Sequence, residues 1–241
     1  MDFTFGIITN SDTLNNISLI INSIKLMNIN NYEIIIVGGC DIIGDNIKHI
    51  KFDKSDKISI KKNLITDNSK YENIVYLHDY IIFESGWYDG FLKFGNDFDV
   101  CMTKIVNIDG SRYRDWCLWK DDGDKYVEKL NYLIPYNISH ISNMMYISGA
   151  YWVAKRKFMI DNRLNEKLKW GQGEDVEWSI RSRQKTNFKM NTLSSVNMMK
   201  YKDPIFKECT ISEIYILNNI DSYDDSESYD KLTKNHISKW I

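Results

Sequence analysis

The sequence predicts an α/β protein, a single domain built on a mostly parallel β-sheet flanked by helices. Three observations predict it. Through the first half of the chain, short β-branched runs alternate with stretches whose apolar residues recur at helical spacing, the order that right-handed βαβ crossovers require. One run, YEIIIVGG at 32–39, is apolar at nearly every position, as a strand covered on both faces is. Polar residues collect at the ends of these runs, where ligands bind in such sheets.

The elements follow in order. FTFGIITN (3–10) is the first strand and ends in Thr9 and Asn10. Ser11 or Asp12 can cap the helix that follows, in which Leu14, Ile17, Ile20, Ile21, Ile24 and Met27 keep helical spacing. The second strand closes on two glycines and precedes Asp41, and IKHIKFD (47–53) is a short third strand. Residues 57–70 form a weakly patterned helix, and NIVYLHDY (73–80) is the fourth strand. In the second half, DFDVCMTKIVN (97–107) reads as a strand, and the polar, aromatic DGSRYRDWCLWKDDGDKY (109–126) as a loop near a site. MMYISGAYWVAKRKFMID (144–161) reads as a strand, a glycine bend and the start of a helix. WGQGEDVEWSIRSRQ (170–184) is glycine punctuation followed by a helix from near Glu174, with Val176, Trp178 and Ile180 on its apolar side. The domain therefore runs over 1–220, and 221–241 is an acidic surface tail.

Composition narrows the class. With 31 basic against 33 acidic residues and a net charge of −2, nothing attracts the chain to nucleic acid or to an anionic membrane. No apolar run reaches the roughly 18 residues of a membrane span, and MDFTFGIITNSD lacks the basic start and long apolar run of a secretory signal. Cys40, Cys101, Cys117 and Cys209 are scattered without a CxxC pair, which points away from structural zinc and toward reduced thiols in a cytoplasmic setting.

Two acidic groups stand out: His78-Asp79-Tyr80 at the end of the fourth strand, and Glu174-Asp175 with Glu177. A carboxylate buried without a partner costs several kcal/mol, so a strand that ends in one must turn it toward a cleft or a partner. Each group also has a purely structural reading. A strand-end Asp caps turns, and acidic residues are favoured at helix N-termini. DGSRYRDW places Arg112, Arg114 and Asp115 beside Trp116, either as a salt-bridged loop or as a contact to a phosphate-bearing ligand. Trp119, Trp152, Trp170 and Trp178 could stack on a ligand's rings or simply fill the core.

Taken together, the HDY triplet, YISGAYWV and WGQGEDVEW (170–178) resemble the GT-A-type glycosyltransferases, family 2 in particular. The resemblance covers roughly residues 3–200. It implies a GT-A-like, Rossmann-like sheet, with a nucleotide-sugar half to about residue 107 and an acceptor half over about 108–220. It also implies a UDP- or GDP-type sugar donor, a glycan, glycolipid or glycoprotein acceptor, and a divalent cation, Mn2+ or Mg2+. On this resemblance Thr9, Asn10 and Asp41 meet the nucleoside, and Lys61 and Lys62 of ISIKKNLI reach the diphosphate. His78, Asp79 and Tyr80 take the place of the acidic DxD-type motif, with Asp79 as metal ligand. Gly149, Tyr151 and Trp152, together with Arg112, Asp115 and Trp116, line the acceptor side. Asp175 is the base of an inverting transfer, and Glu174 bonds a sugar hydroxyl.

The chain departs from the family pattern at two points. Tyr80 stands where a second acid is usual, and SVNMMKYKD (195–203) offers Met198, Met199, Lys200 and Tyr201 where many members place a metal-binding His. Met is a poor ligand for a hard cation, so metal binding could be weak, completed by the diphosphate itself, or replaced by Lys200 or Lys202, and His78 could supplement it. An alternative follows from these departures: a catalytically inactive module of the same fold that only binds nucleotide or glycan. A nucleotidyltransferase would need a glycine-rich phosphate loop after the first strand, which FGIITNSDTLNN lacks.

Overall fold

The computed structural model describes residues 1–10, 14–39, 42–120, 130–142, 144–204, 206–210 and 212–214. Asp41, the Ser11/Asp12 cap and the acidic tail lie outside these residues.

The first four strands are β1 (Phe3–Ile8), β2 (Tyr32–Gly38), β3 (Ile47–Lys51) and β4 (Asn73–His78). They pair in parallel in the order β3-β2-β1-β4. Between them run α1 (Leu14–Leu26) and α2 (Ile58–Asn68). Helix α1 buries Ile17, Ile20, Ile21 and Ile24, the one-sided stripe that its spacing predicts. Leu14 is 51% exposed, so that stripe begins at Ile17. Strand β1 is buried along its whole length, which explains why FTFGII lacks the alternation of a half-wet strand.

The second half is more mixed than a parallel sheet. After β4 come β5 (Ile81–Phe83), α3 (Trp87–Phe94) and β6 (Val100–Val106). The glycine bend then leads not directly to a helix but into another strand, β10 (Tyr151–Lys155), ahead of α4 (Arg156–Asp161). Strand β10 lies antiparallel between β4 and β6. Strand β11 (Lys189–Met198) pairs parallel to β6, and β5 closes the edge antiparallel to β11. The result is one eight-stranded sheet in the order β3-β2-β1-β4-β10-β6-β11-β5.

The expected loop over 109–126 contains a strand, β7 (Trp116–Lys120). It joins β8 (Leu130–Leu133), β9 (Met145–Ile147) and β12 (Lys207–Glu208) in a small second sheet. Helix α5 (Glu174–Arg183) begins where the glycines predict. Gly173 sits in the left-handed region at φ 69°, a backbone setting that glycine adopts without strain.

Two aromatic groups fill the core. Phe3, Phe5, Phe83, Trp87 and Phe91 pack edge to face or tilted, with Trp87 4.5 Å from Phe91. On the α5 side, Trp152 stacks between Tyr76 and Trp178 at 4.9 and 5.4 Å. Among the described residues, no helix is long and apolar enough to cross a membrane.

Candidate active site

Strand register assembles the site. Ile8 pairs with Val37 on one side and with His78 on the other, so the chain segments after β1 and β4 emerge side by side. Thr9 and Asp79 then meet directly, the Thr9 hydroxyl donating to Asp79 Oδ2 at 2.7 Å. From α2, Lys61 donates to the Thr9 carbonyl at 2.7 Å and to Asn10 Oδ1 at 2.9 Å. Burial lowers the Lys61 pKa, and the nearby Asp79 charge opposes the shift.

These residues line a cleft of about 430 Å3 that also takes in His78, Tyr80, Lys202, Trp170, Ser55 and Asp56 in the turn before α2, and Ile58 at its start. The size suits a mononucleotide-scale ligand. The His78 pKa is held well below the ordinary histidine value, first by burial and then by Lys62, Lys202 and Lys61, so its imidazole is neutral at physiological pH. Lys202 Nζ lies 3.5 Å from the centroid of the Tyr80 ring. Trp170, 72% exposed, stands at the cleft with its backbone N–H on the Asp56 carbonyl at 2.7 Å.

A second group of residues joins the β9–β10 turn to α5. Because β10 runs antiparallel to β4, the His78 N–H meets the Ala150 carbonyl at 3.0 Å, and Gly149 falls beside the site. Its N–H donates to Asp175 Oδ2 at 2.7 Å, while Asp175 Oδ1 accepts the Val176 N–H at 3.0 Å. A side chain at Gly149 would begin 2.9 Å from Asp175 Oδ2, so the close approach needs glycine. Lys62 donates to the Gly149 carbonyl at 2.9 Å, pairs with Glu174 at 3.4 Å and lies over Trp152 at 4.4 Å. Burial pushes Lys62 down and Glu174 up, and the attraction between them works against both shifts.

The residues expected from the sequence thus separate by place. Thr9, Asn10, Lys61, His78, Asp79 and Tyr80 line the cleft. Lys62 and Glu174 do not line it; they form a buried pair, 1% and 7% exposed. Tyr151 and Trp152 are core residues, and the Tyr151 hydroxyl accepts the Trp87 indole N–H at 2.8 Å. Arg112, Asp115 and Trp116 join β6 to the small sheet. Asp115, fully buried, accepts from Arg112, Tyr136 and the backbone N–H groups of Ile105 and Trp116. Burial raises the Asp115 pKa and the Arg112 charge opposes it. Trp119 has no described side chain, while Trp116, Trp152 and Trp178 are buried.

Arg114, named with Arg112 and Asp115 from the sequence, is held apart from the Asp115 network: it donates to the Tyr113 hydroxyl at 2.9 Å and lies over the Tyr113 and Phe206 rings. Its charge opposes the burial-driven rise of the Tyr80 pKa and adds to the lowering at Lys202. The cleft also contains residues that the sequence reading does not single out. Ser55 and Asp56 follow β3, and applying the strand-end rule to that strand would have found them.

The donor set does not suit a hard divalent cation. Asp79 already accepts the Thr9 hydroxyl, Tyr80 supplies no carboxylate, and Met198 ends β11 with Met199 after it. Among the described residues, no group of three His, Cys, Asp or Glu side chains converges to hold an ion. Hard cations take several oxygen ligands.

The fold is that of the GT-A-type glycosyltransferases. A structure of GalNAc-T7 with UDP, GalNAc and Mn2+ superposes with a TM-score of 0.59 at 12% identity, covering 98% of this chain and 54% of that one. S. aureus TarS 1–349 gives 0.52 at 12% identity over 99% of this chain and 71% of that one. A second TarS structure gives 0.54 at 14% identity over 99% and 43%. The chain thus spans about half the length of the GalNAc-T7 chain. No protein-family profile matches the sequence, and no curated protein matches it.

Proposed function

We propose that this chain is a glycosyltransferase that moves a sugar from a nucleotide-diphosphate donor to a carbohydrate-containing acceptor. The observation that carries the reading is the meeting of Thr9, Lys61, His78 and Asp79 in one cleft at the ends of β1 and β4, with Asp175 held by Gly149 next to it. The UDP in the GalNAc-T7 structure supports a uridine donor over a guanosine one.

In this reading the cleft holds the nucleoside diphosphate, with Thr9 and Asn10 toward the nucleoside and Lys61 holding the Thr9 carbonyl and the Asn10 side chain. The acceptor hydroxyl attacks the anomeric carbon from the face opposite the diphosphate. Asp175 takes the hydroxyl proton as the new C–O bond forms, and the old C–O bond breaks with its electron pair left on the diphosphate. Inversion follows from that geometry. The Lys62–Glu174 pair acts one step back, holding the Gly149 turn and the start of α5 where Asp175 needs them.

The test is thermal-shift binding against nucleotides and nucleotide sugars, followed by a donor-hydrolysis and transfer assay. A ligand that binds only the folded state raises its melting temperature. A shift with one nucleotide family that is lost in Asp79→Ala and kept in Asp175→Asn, with transfer lost in both, is the expected result. Binding without turnover of any nucleotide sugar would make the chain a binding module instead.

A further inference from the structure

We propose that Lys202, seated on the face of Tyr80 and held there by Asn107, is the cation that meets the donor's diphosphate, so that the cleft takes a nucleoside diphosphate without a divalent metal. This rests on the nucleotide-sugar reading above.

The charge count in the cleft leads there. Lys61 is committed to the Thr9 carbonyl and Asn10 Oδ1, and Lys62 is buried under Gly149 with Glu174. Lys202 also lines the cleft, yet among the described residues its ammonium has neither a hydrogen bond nor an ion pair, only the Tyr80 ring at 3.5 Å. An ammonium on a ring face keeps its N–H donors available on the open side. Lys200, the other lysine of this segment, is exposed and does not line the cleft.

The position of Lys202 is built rather than incidental. Asn107, 2% exposed, clasps its backbone from both sides. Lys202 N–H donates to Asn107 Oδ1 at 3.1 Å, and Asn107 Nδ2 donates to the Lys202 carbonyl at 3.0 Å. The Met199 N–H on the Tyr80 carbonyl, at 2.9 Å, ties the same segment to the turn after β4. Tyr80, which lacks the charge of an acidic motif, thereby gains a use as the platform for this lysine. A divalent ion at Asp79 would instead have to approach a carboxylate that already has Lys61 and Lys202 near it, and like charges repel more strongly in a partly dry cleft.

Calorimetric titration with UDP and with GDP, in EDTA and then in Mn2+, tests the assignment. Expected is binding of one of them with the same Kd in both buffers. Lys202→Met should weaken it about ten- to hundredfold, the size of one charge-assisted hydrogen bond. Lys202→Arg should keep most of the affinity, and Asn107→Ala should fall between. Binding that needs Mn2+ and ignores Lys202→Met overturns the inference and leaves the nucleotide-sugar reading standing. Binding indifferent to both EDTA and Lys202→Met assigns the charge elsewhere and also overturns it. No binding of either nucleotide in either buffer removes the nucleotide-sugar reading and this inference with it.

Discussion

Replacing Lys62 by Met should cost about 5 kcal/mol near pH 7 and much less near pH 5. The substitution keeps the volume but strands two buried acceptors, the Gly149 carbonyl and the Glu174 carboxylate. The lost hydrogen bond from a charged donor accounts for about 1.5 kcal/mol. Glu174 can escape the cost of an unpaired buried charge by taking a proton, which sets a ceiling. From an ordinary value of 4.5, protonation at pH 7 costs about 3.4 kcal/mol at about 1.36 kcal/mol per unit. At pH 5 the same step costs only about 0.7 kcal/mol. In the variant, Glu174 has a folded pKa raised above its unfolded one, so its contribution is intact below about 4.5 and is lost as pH rises toward the folded value. Urea melts at the two pH values measure this directly. A loss that is equal at both, or below about 1 kcal/mol at both, would refute the buried pair as the anchor of the Gly149 turn. Adding Glu174→Gln should remove the pH dependence and leave the hydrogen-bond part.

Two further substitutions separate structure from chemistry. Gly149→Ala places a methyl 2.9 Å from Asp175 Oδ2 and 3.1 Å from its Cγ. It should cost about 1–3 kcal/mol and abolish transfer while nucleotide binding persists; retained transfer would show that Asp175 need not sit against the turn. Asp115→Asn weakens the partner of a buried Arg112 and should cost about 3 kcal/mol in a denaturant melt with the nucleotide Kd unchanged. Unchanged stability together with weakened acceptor binding would instead return Arg112 and Asp115 to the acceptor site.

What the sequence revealed follows from how local each signal is. The α1 stripe, the apolar β2 run and the start of α5 at Glu174 are written in consecutive residues, and each element appears with nearly the expected bounds. The grouping of Thr9 with His78 and Asp79 was legible because a strand-end rule connects them without any pairing information. Strand β10 was missed because its neighbours, β4 and β6, come earlier in the chain, and YWVAK looks equally like the start of a helix. Strand β7 was hidden by its polar flanks, although WCLWK between turn residues has strand composition. The roles of Arg112 and Arg114 could not be divided by spacing alone, since only the fold decides which of two guanidiniums is drawn into the Asp115 network. The Asn107–Lys202 clasp joins residues 95 positions apart, and nothing local announces it.

The late arrival of β10 has a consequence for how the chain is made. Until residues 151–155 leave the ribosome, β4 has no partner on its outer side, and that strand is NIVYLH, buried over nearly all its length in the finished protein. An open apolar edge of this kind invites pairing with other chains. A fragment ending near residue 107 would carry most of the nucleotide cleft and still lack the strand that seals it. Folding should therefore wait for most of the polypeptide and proceed slowly through long-range contacts, which makes the nascent first half a natural client for chaperones.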